Sequence, residues 1–187
     1  MEAQLTFEQL LLNYGAYQSI PYDELLNCLE WKQKRNKIVK RDNEQCRCCN
    51  KKGTDTVFAS GSKPIHFYED LFEFEYEDYY GLPRLGIKMV MKRADAPVHL
   101  HVHHTYYYFD TCPWDYPNES LITLCSNCHF DVHQSSLIKW FDKNNNFRYL
   151  TPCPRCSGVG RLPQYSHVQN GVCFYCKGNM YVELMRK

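Results

Sequence analysis

Residues 118 to 133 read NESLITLCSNCHFDVH, and the reading of this stretch decides the fold. Cys125 and Cys128 form a C-x-x-C knuckle, and His129 and His133 follow it four positions apart. The pattern from 126 to 141, SNCHFDVHQSSLIKWF, is predicted as a helix that begins at the knuckle. Positions i and i+4 share one helix face, so His129 and His133 can grip one ion. Upstream, VHLHVHH at 98 to 104 is predicted as a short strand that ends on His103 and His104. Between the two lies DTCPWDYPNE, a loop rich in turn formers.

The knuckle is one of four. Cys46/Cys49, Cys125/Cys128, Cys153/Cys156 and Cys173/Cys176 account for eight of the 11 cysteines, leaving Cys28, Cys48 and Cys112. The N-terminus carries Glu2, no basic start and too short an apolar run for export. With an odd cysteine count, this points to thiolate metal sites in a reducing, cytoplasmic compartment rather than a disulfide framework. No stretch is apolar enough to span a membrane, so no membrane partner is expected. Net charge is +1, so any case for a polyanion partner must rest on local charge. Tyr and Phe, at 15 and 10, imply an aromatic core of modest size, which needs staples.

Cys153-x2-Cys156-x16-Cys173-x2-Cys176 has four-thiolate zinc spacing, with Gly158, Gly160, Gly171 and Gly178 permitting tight turns beside the sulfurs. The other four cysteines, Cys46, Cys49, Cys125 and Cys128, can share one zinc if the fold brings the distant pairs together.

The remaining chain is plainer. Residues 5 to 12 and 22 to 41 are predicted as helices, the second with a basic later half that reads as a solvated face or a phosphate-tracking one. Residues 67 to 80 alternate aromatic and acid, the period of a strand with one wet face. Pro83 and Gly86 break that pattern, and Lys88 to Arg93 suggests another strand. His99, His101, His66 and His167 read as ordinary strand or surface residues, Trp31, Trp114 and Trp140 as core packing, Tyr106 to Tyr108 as a buried strand, and Cys48 as a spare thiol.

CPRCSGVG resembles the C-x-x-C-x-G-x-G repeats of the zinc-binding region of J-domain chaperones; the second copy, CFYCKGNM, has Met180 in place of the last glycine. This implies a zinc fold, not chaperone activity. Three other stretches, EWKQKRNKIVKRDNEQCRCC, VHLHVHHTYYY and NESLITLCSNCHFDVH, together resemble the HNH, or ββα-metal, endonuclease family over roughly residues 30 to 140. The resemblance implies an α+β fold with a ββα-metal module. His104 would be the general base, and His103, His129 and His133 the ligands of a catalytic Mn, Ni, Mg or Zn ion. The four cysteines at 46, 49, 125 and 128 would hold a structural zinc. The family's middle Asn falls on Ser120, with Asn118 two residues earlier; either would orient His104, or activity is impaired. Lys34, Arg35 and Arg41 would bind nucleic-acid backbone.

The expected organisation is therefore an N-terminal helical extension over 1–29, an HNH domain over 30–142 with an insertion at about 54–97, and a zinc module over 150–187. The expected function is metal-dependent hydrolysis of DNA. The alternatives are a zinc-stabilised nucleic-acid-binding protein with an impaired HNH centre and an adaptor built on two zinc modules. The oligomeric state is left open.

Overall fold

The computed structural model describes residues 5–58, 63–135, 138–165 and 167–185. Helix α1 (Phe7–Tyr14) opens on a capping box, in which Thr6 accepts from the Gln9 amide and the Gln9 side chain accepts from the Thr6 amide. The second predicted helix is two, α2 (Tyr22–Asn27) and α3 (Leu29–Arg41). The break falls at Cys28, whose backbone is extended and whose thiol donates to the Leu25 carbonyl. Helix α3 turns Trp31 and Ile38, two turns apart, into the core.

That core also takes Leu10, Ile20 and Leu25 from the first 28 residues, together with Tyr107, Tyr116, Leu121 and Ile138. The N-terminal segment is thus part of the same packing unit as the centre of the chain. The Glu30 carboxylate fastens it further by accepting from the Phe7 amide at 3.0 Å.

Strands β1 (Asp55–Val57), β2 (Ile65–Glu77) and β3 (Pro83–Ala94) form an antiparallel sheet in chain order. Most of it is a two-stranded ribbon from His66↔Ala94 to Glu77↔Pro83. Two expectations are corrected here. Pro83 begins the second strand rather than breaking it, and Gly86 lies inside it, where the Phe74 ring occupies the space that a Cβ would need. The alternation in β2 does not mark one dry face and one wet face, because most of the outer ribbon is exposed on both.

Strand β4 (Leu100–His104) pairs antiparallel with β6 (Leu121–Cys125), and α4 (Ser126–Ser135) follows directly. Between β4 and β6 lies β5 (Tyr106–Tyr108), which pairs in parallel with β7 (Lys139–Phe141), itself paired with β8 (Phe147–Arg148). The helix expected over 126–141 therefore ends early. Residues 136 and 137 lie outside the described set, and Lys139–Phe141 is strand because Trp140 stacks on Tyr107 with centroids 4.8 Å apart. The buried Tyr107 strand is as expected.

The last segment has no helix longer than a single turn among its described residues. Bridges Pro152↔Tyr181 and Arg161↔Val172 tie two similar loops together. Ser157 and Lys177 take φ 51° and 50°, Gly158 and Gly178 85° and 84°, and Gly160 and Met180 75° and 65°. The two halves are thus the same turn twice, with Met180 accepting the left-handed backbone of the missing glycine. The segment meets the main core where Tyr181 packs edge-on against Trp140.

Among the described residues no helix is long and apolar enough to cross a membrane.

Candidate metal centre

Strand β4 delivers His103 and His104 to opposite faces, as a strand must. On one face His103 meets the helix. Ring centroids of His103 lie 5.2 Å from His129 and 4.9 Å from His133, and the two helix histidines bring their Nε2 atoms to 3.2 Å. One donor atom from each of the three lies within 4.8 Å of the others. Two nitrogens 3.2 Å apart can each be about 2.0–2.1 Å from a common ion at an angle of about 100°, so the trio fits a divalent cation. His103 Nδ1 and His133 Nδ1 are buried without a hydrogen-bond partner. Burial, reinforced by neighbouring histidines, lowers His103 to about 4 and His129 to about 3, and burial alone lowers His133. All three are neutral at pH 7, the form that ligates.

On the opposite face His104 is 2% exposed and stacks on Trp31, with centroids 5.1 Å apart. Its Nε2 lies 2.9 Å from the Pro113 carbonyl, which can only accept, so Nε2 carries the proton and Nδ1 the lone pair. Burial lowers its pKa to about 4, helped by the charge of Lys34 and opposed by the Pro113 carbonyl.

The hydrogen bond of His104 Nε2 goes to neither expected orienting residue. The Ser120 hydroxyl donates to the Pro117 carbonyl at 2.8 Å, and Asn118 offers its backbone carbonyl to Arg41. The partner of His104 is the carbonyl of Pro113, in the loop read only as turn formers. The three expected phosphate cations are also engaged internally. Lys34 donates to the Tyr116 carbonyl at 2.6 Å, Arg35 to the Leu100 carbonyl at 2.7 Å, and Arg41 to the Leu121 carbonyl at 2.8 Å and to Asp42. The basic half of α3 thereby clamps the helix to the sheet edge that carries the histidines.

Two residues near the trio were not singled out by the sequence. His101 lies flat on His129, 5.2 Å away and 8° from parallel, and its Nε2 is 3.0 Å from the Ser126 hydroxyl. Arg161, from the C-terminal segment, lies close enough for its charge to depress both His101 and His129. His101 is signalled only by alternation with His103 on β4, and Arg161 by nothing local.

The cysteines form two further clusters. Cys46, Cys49, Cys125 and Cys128 converge within 4.8 Å, as do Cys153, Cys156, Cys173 and Cys176. Sulfur separations of 3.7 Å for Cys49–Cys125 and Cys156–Cys176 and 3.9 Å for Cys153–Cys173 are far beyond a disulfide. They match the edge of about 3.8 Å expected for a tetrahedron of Zn–S bonds of about 2.3 Å. Burial pushes Cys46 up, but backbone amides of Cys125, Cys49 and Cys48 outweigh it and hold the thiol below its ordinary value. The amide of Arg47 donates to the Thr123 carbonyl, tying the first knuckle to β6. Cys48 is exposed and outside both clusters, as expected of a spare thiol.

No protein-family model, curated protein or solved structure matches the chain. Its class is therefore set by its own geometry: a mixed α+β protein with two four-cysteine clusters suited to zinc.

Proposed function

We propose that the chain is a metal-dependent phosphodiester hydrolase of the HNH type acting on DNA. The observation that carries this reading is the convergence of His103 with His129 and His133, on a strand and on the helix that follows its partner strand. His103, His129 and His133 would hold the cation. When bound, it would supply charge neutralisation at the phosphate and the leaving oxygen. Imidazole donors suit Mn²⁺, Ni²⁺ or Zn²⁺ better than Mg²⁺, which prefers oxygen.

His104 supplies the base. Its Nδ1 lone pair accepts the proton of the attacking water, and the Pro113 carbonyl, bonded to Nε2–H, steadies the imidazolium that forms. Trp31 fixes the ring plane by stacking.

The second reading is a zinc-stabilised nucleic-acid-binding protein whose centre does not cleave. It is favoured by the deep burial of His104 and by the internal use of Lys34, Arg35 and Arg41. Plasmid cleavage with Mn²⁺, Ni²⁺, Mg²⁺ and Zn²⁺ separates the two. The expected result is metal-stimulated cleavage lost in His104→Ala, with two tightly held zinc ions retained. Binding without cleavage under every ion would establish the second reading.

A further inference from the structure

The ribbon of β2 and β3 carries two different faces, and their decorations match each other. On one face, β2 presents Glu69, Leu71, Glu73, Glu75 and Glu77 while β3 presents Leu85, Ile87, Met89 and Met91. On the other, β2 presents Tyr68, Asp70, Phe72, Phe74 and Tyr76 while β3 presents Arg84, Lys88, Val90 and Lys92. Leu85, Ile87, Met89 and Met91 are 56–62% exposed and Phe72, Phe74 and Tyr76 are 36–48% exposed. A two-stranded ribbon with both faces wet has no core of its own and is marginal in water, and exposed apolar strips of this length mark association surfaces.

We infer that each face of the ribbon docks on the opposite face of the ribbon of a second copy of this chain. Spacing carries the inference. Glu69, Glu73 and Glu77 repeat every four residues, and so do Arg84, Lys88 and Lys92. Turn a second ribbon by half a revolution about the sheet normal and lay its aromatic face on the acidic one. Strand β3 of the second copy then covers β2 of the first. In one register Arg84, Lys88 and Lys92 sit over Glu69, Glu73 and Glu77. In that same register Phe72, Phe74 and Tyr76 sit over Ile87, Met89 and Met91. Three charge pairs and three apolar contacts form together with no like-charge pair opposed, while Glu75 meets Val90 and Asp70 meets Leu85.

Existing ion pairs do not prevent this. Lys92–Asp70 and Arg84–Asp78 are surface pairs, and Lys88 lies 5.3 Å from the Phe72 and Phe74 centroids. Such exposed pairs are worth little and rearrange readily. A nucleic acid is the less suitable occupant, because residues 65–94 hold six acids and four bases, a net −2 on a thin ribbon.

The ribbon of twelve cross-strand pairs is about 40 Å long and offers a footprint on the order of 400 Å² per face, about half of a standard interface side. Association is therefore weak. It is also heterologous, so dimers grow into longer species as concentration rises.

Sedimentation velocity of the full chain over roughly 5–500 μM tests this, a range suited to weak affinities. The weight-average mass should rise with concentration and fall when salt is added. The triple variants R84E/K88E/K92E and E69K/E73K/E77K should each remain monomeric, because all three facing charge pairs then become like-charged. Mixed in equal amounts, they should associate again, and that recovery excludes misfolding as the cause of the loss. A wild-type chain that stays monomeric throughout overturns the inference. So does a mixture that fails to associate while both variants keep two zinc ions and the wild-type circular dichroism. Single-stranded oligonucleotide binding by a monomeric wild type, lost in R84E/K88E/K92E, would instead assign the aromatic face to nucleic acid.

Discussion

His104 shows how one buried side chain can tie stability to pH. It is neutral in the folded chain, with its pKa lowered to about 4 by burial, whereas an unfolded histidine titrates near 6.5. Between those values the unfolded chain binds the extra proton, so acid favours unfolding there. Stability tied to His104 is complete above about pH 6.5, declines as pH falls towards 4, and is then spent, a change on the order of 3 kcal/mol. His104→Phe keeps the stack on Trp31 but leaves the Pro113 carbonyl unpaired. Urea unfolding should find it less stable by about 1–3 kcal/mol at pH 7. Its stability should also change less between pH 6.5 and 4 than that of the parent, and an equal slope would show that His104 does not titrate as described. The convergence of the histidine trio was legible in the sequence because H-x3-H and the strand-ending His103 are local signals. Pro113 was not, because a backbone carbonyl contributed by a loop has no residue-type signature.

At the scale of elements, α3 is a brace. Its cations meet carbonyls at Leu100, Tyr116 and Leu121, and the next residue, Asp42, is buried and accepts from the Thr123 amide at 3.0 Å. Burial would raise the Asp42 pKa, but hydrogen bonds from Arg41 and Thr123 outweigh it and hold the carboxylate below its ordinary value. Asp42 thus stabilises the fold above the ordinary Asp range, and this is lost as pH falls through the lower folded value. Asp42→Ala strands the Thr123 amide and should cost about 2–4 kcal/mol in a denaturant titration. Arg35→Ala should likewise lower Tm while leaving unchanged the salt dependence of the DNA binding proposed above; a shallower salt slope would assign Arg35 to a phosphate contact. The helical period and the knuckles made α3 and the start of α4 readable. The ends of elements were less so: Cys28 interrupts a continuous helical pattern, and Lys139–Phe141 is drawn into strand by pairing with residues 106–108. Both depend on partners distant in sequence.

For the whole molecule, the two cysteine clusters close loops of very different reach, and that difference orders their effects. Cys49 and Cys125 are 76 residues apart, whereas Cys153 and Cys173 are 20 apart. The first cluster joins the knuckle after α3 to the start of α4, the helix that carries His129 and His133. The second organises only the terminal segment and its contact at Trp140. Ligand burial differs as well. All four C-terminal cysteines are buried, while Cys49 is exposed and Cys128 half-buried. A chelator should therefore reach a zinc held by the first cluster sooner. With His129→Ala used to remove the imidazole site, a colorimetric chelator should release zinc in two steps, and Cys49→Ser should abolish the faster one. Because metal binding at such sites is folding free energy, on the order of 10 kcal/mol, each loss should unfold what its loop holds. In the chain with its histidines intact, Cys49→Ser should weaken cobalt binding at the trio at least tenfold, and Cys173→Ser should leave it nearly unchanged. The reverse order would mean that the terminal segment, through Arg161 beside His101 and His129, and not the first knuckle, holds the histidines in place.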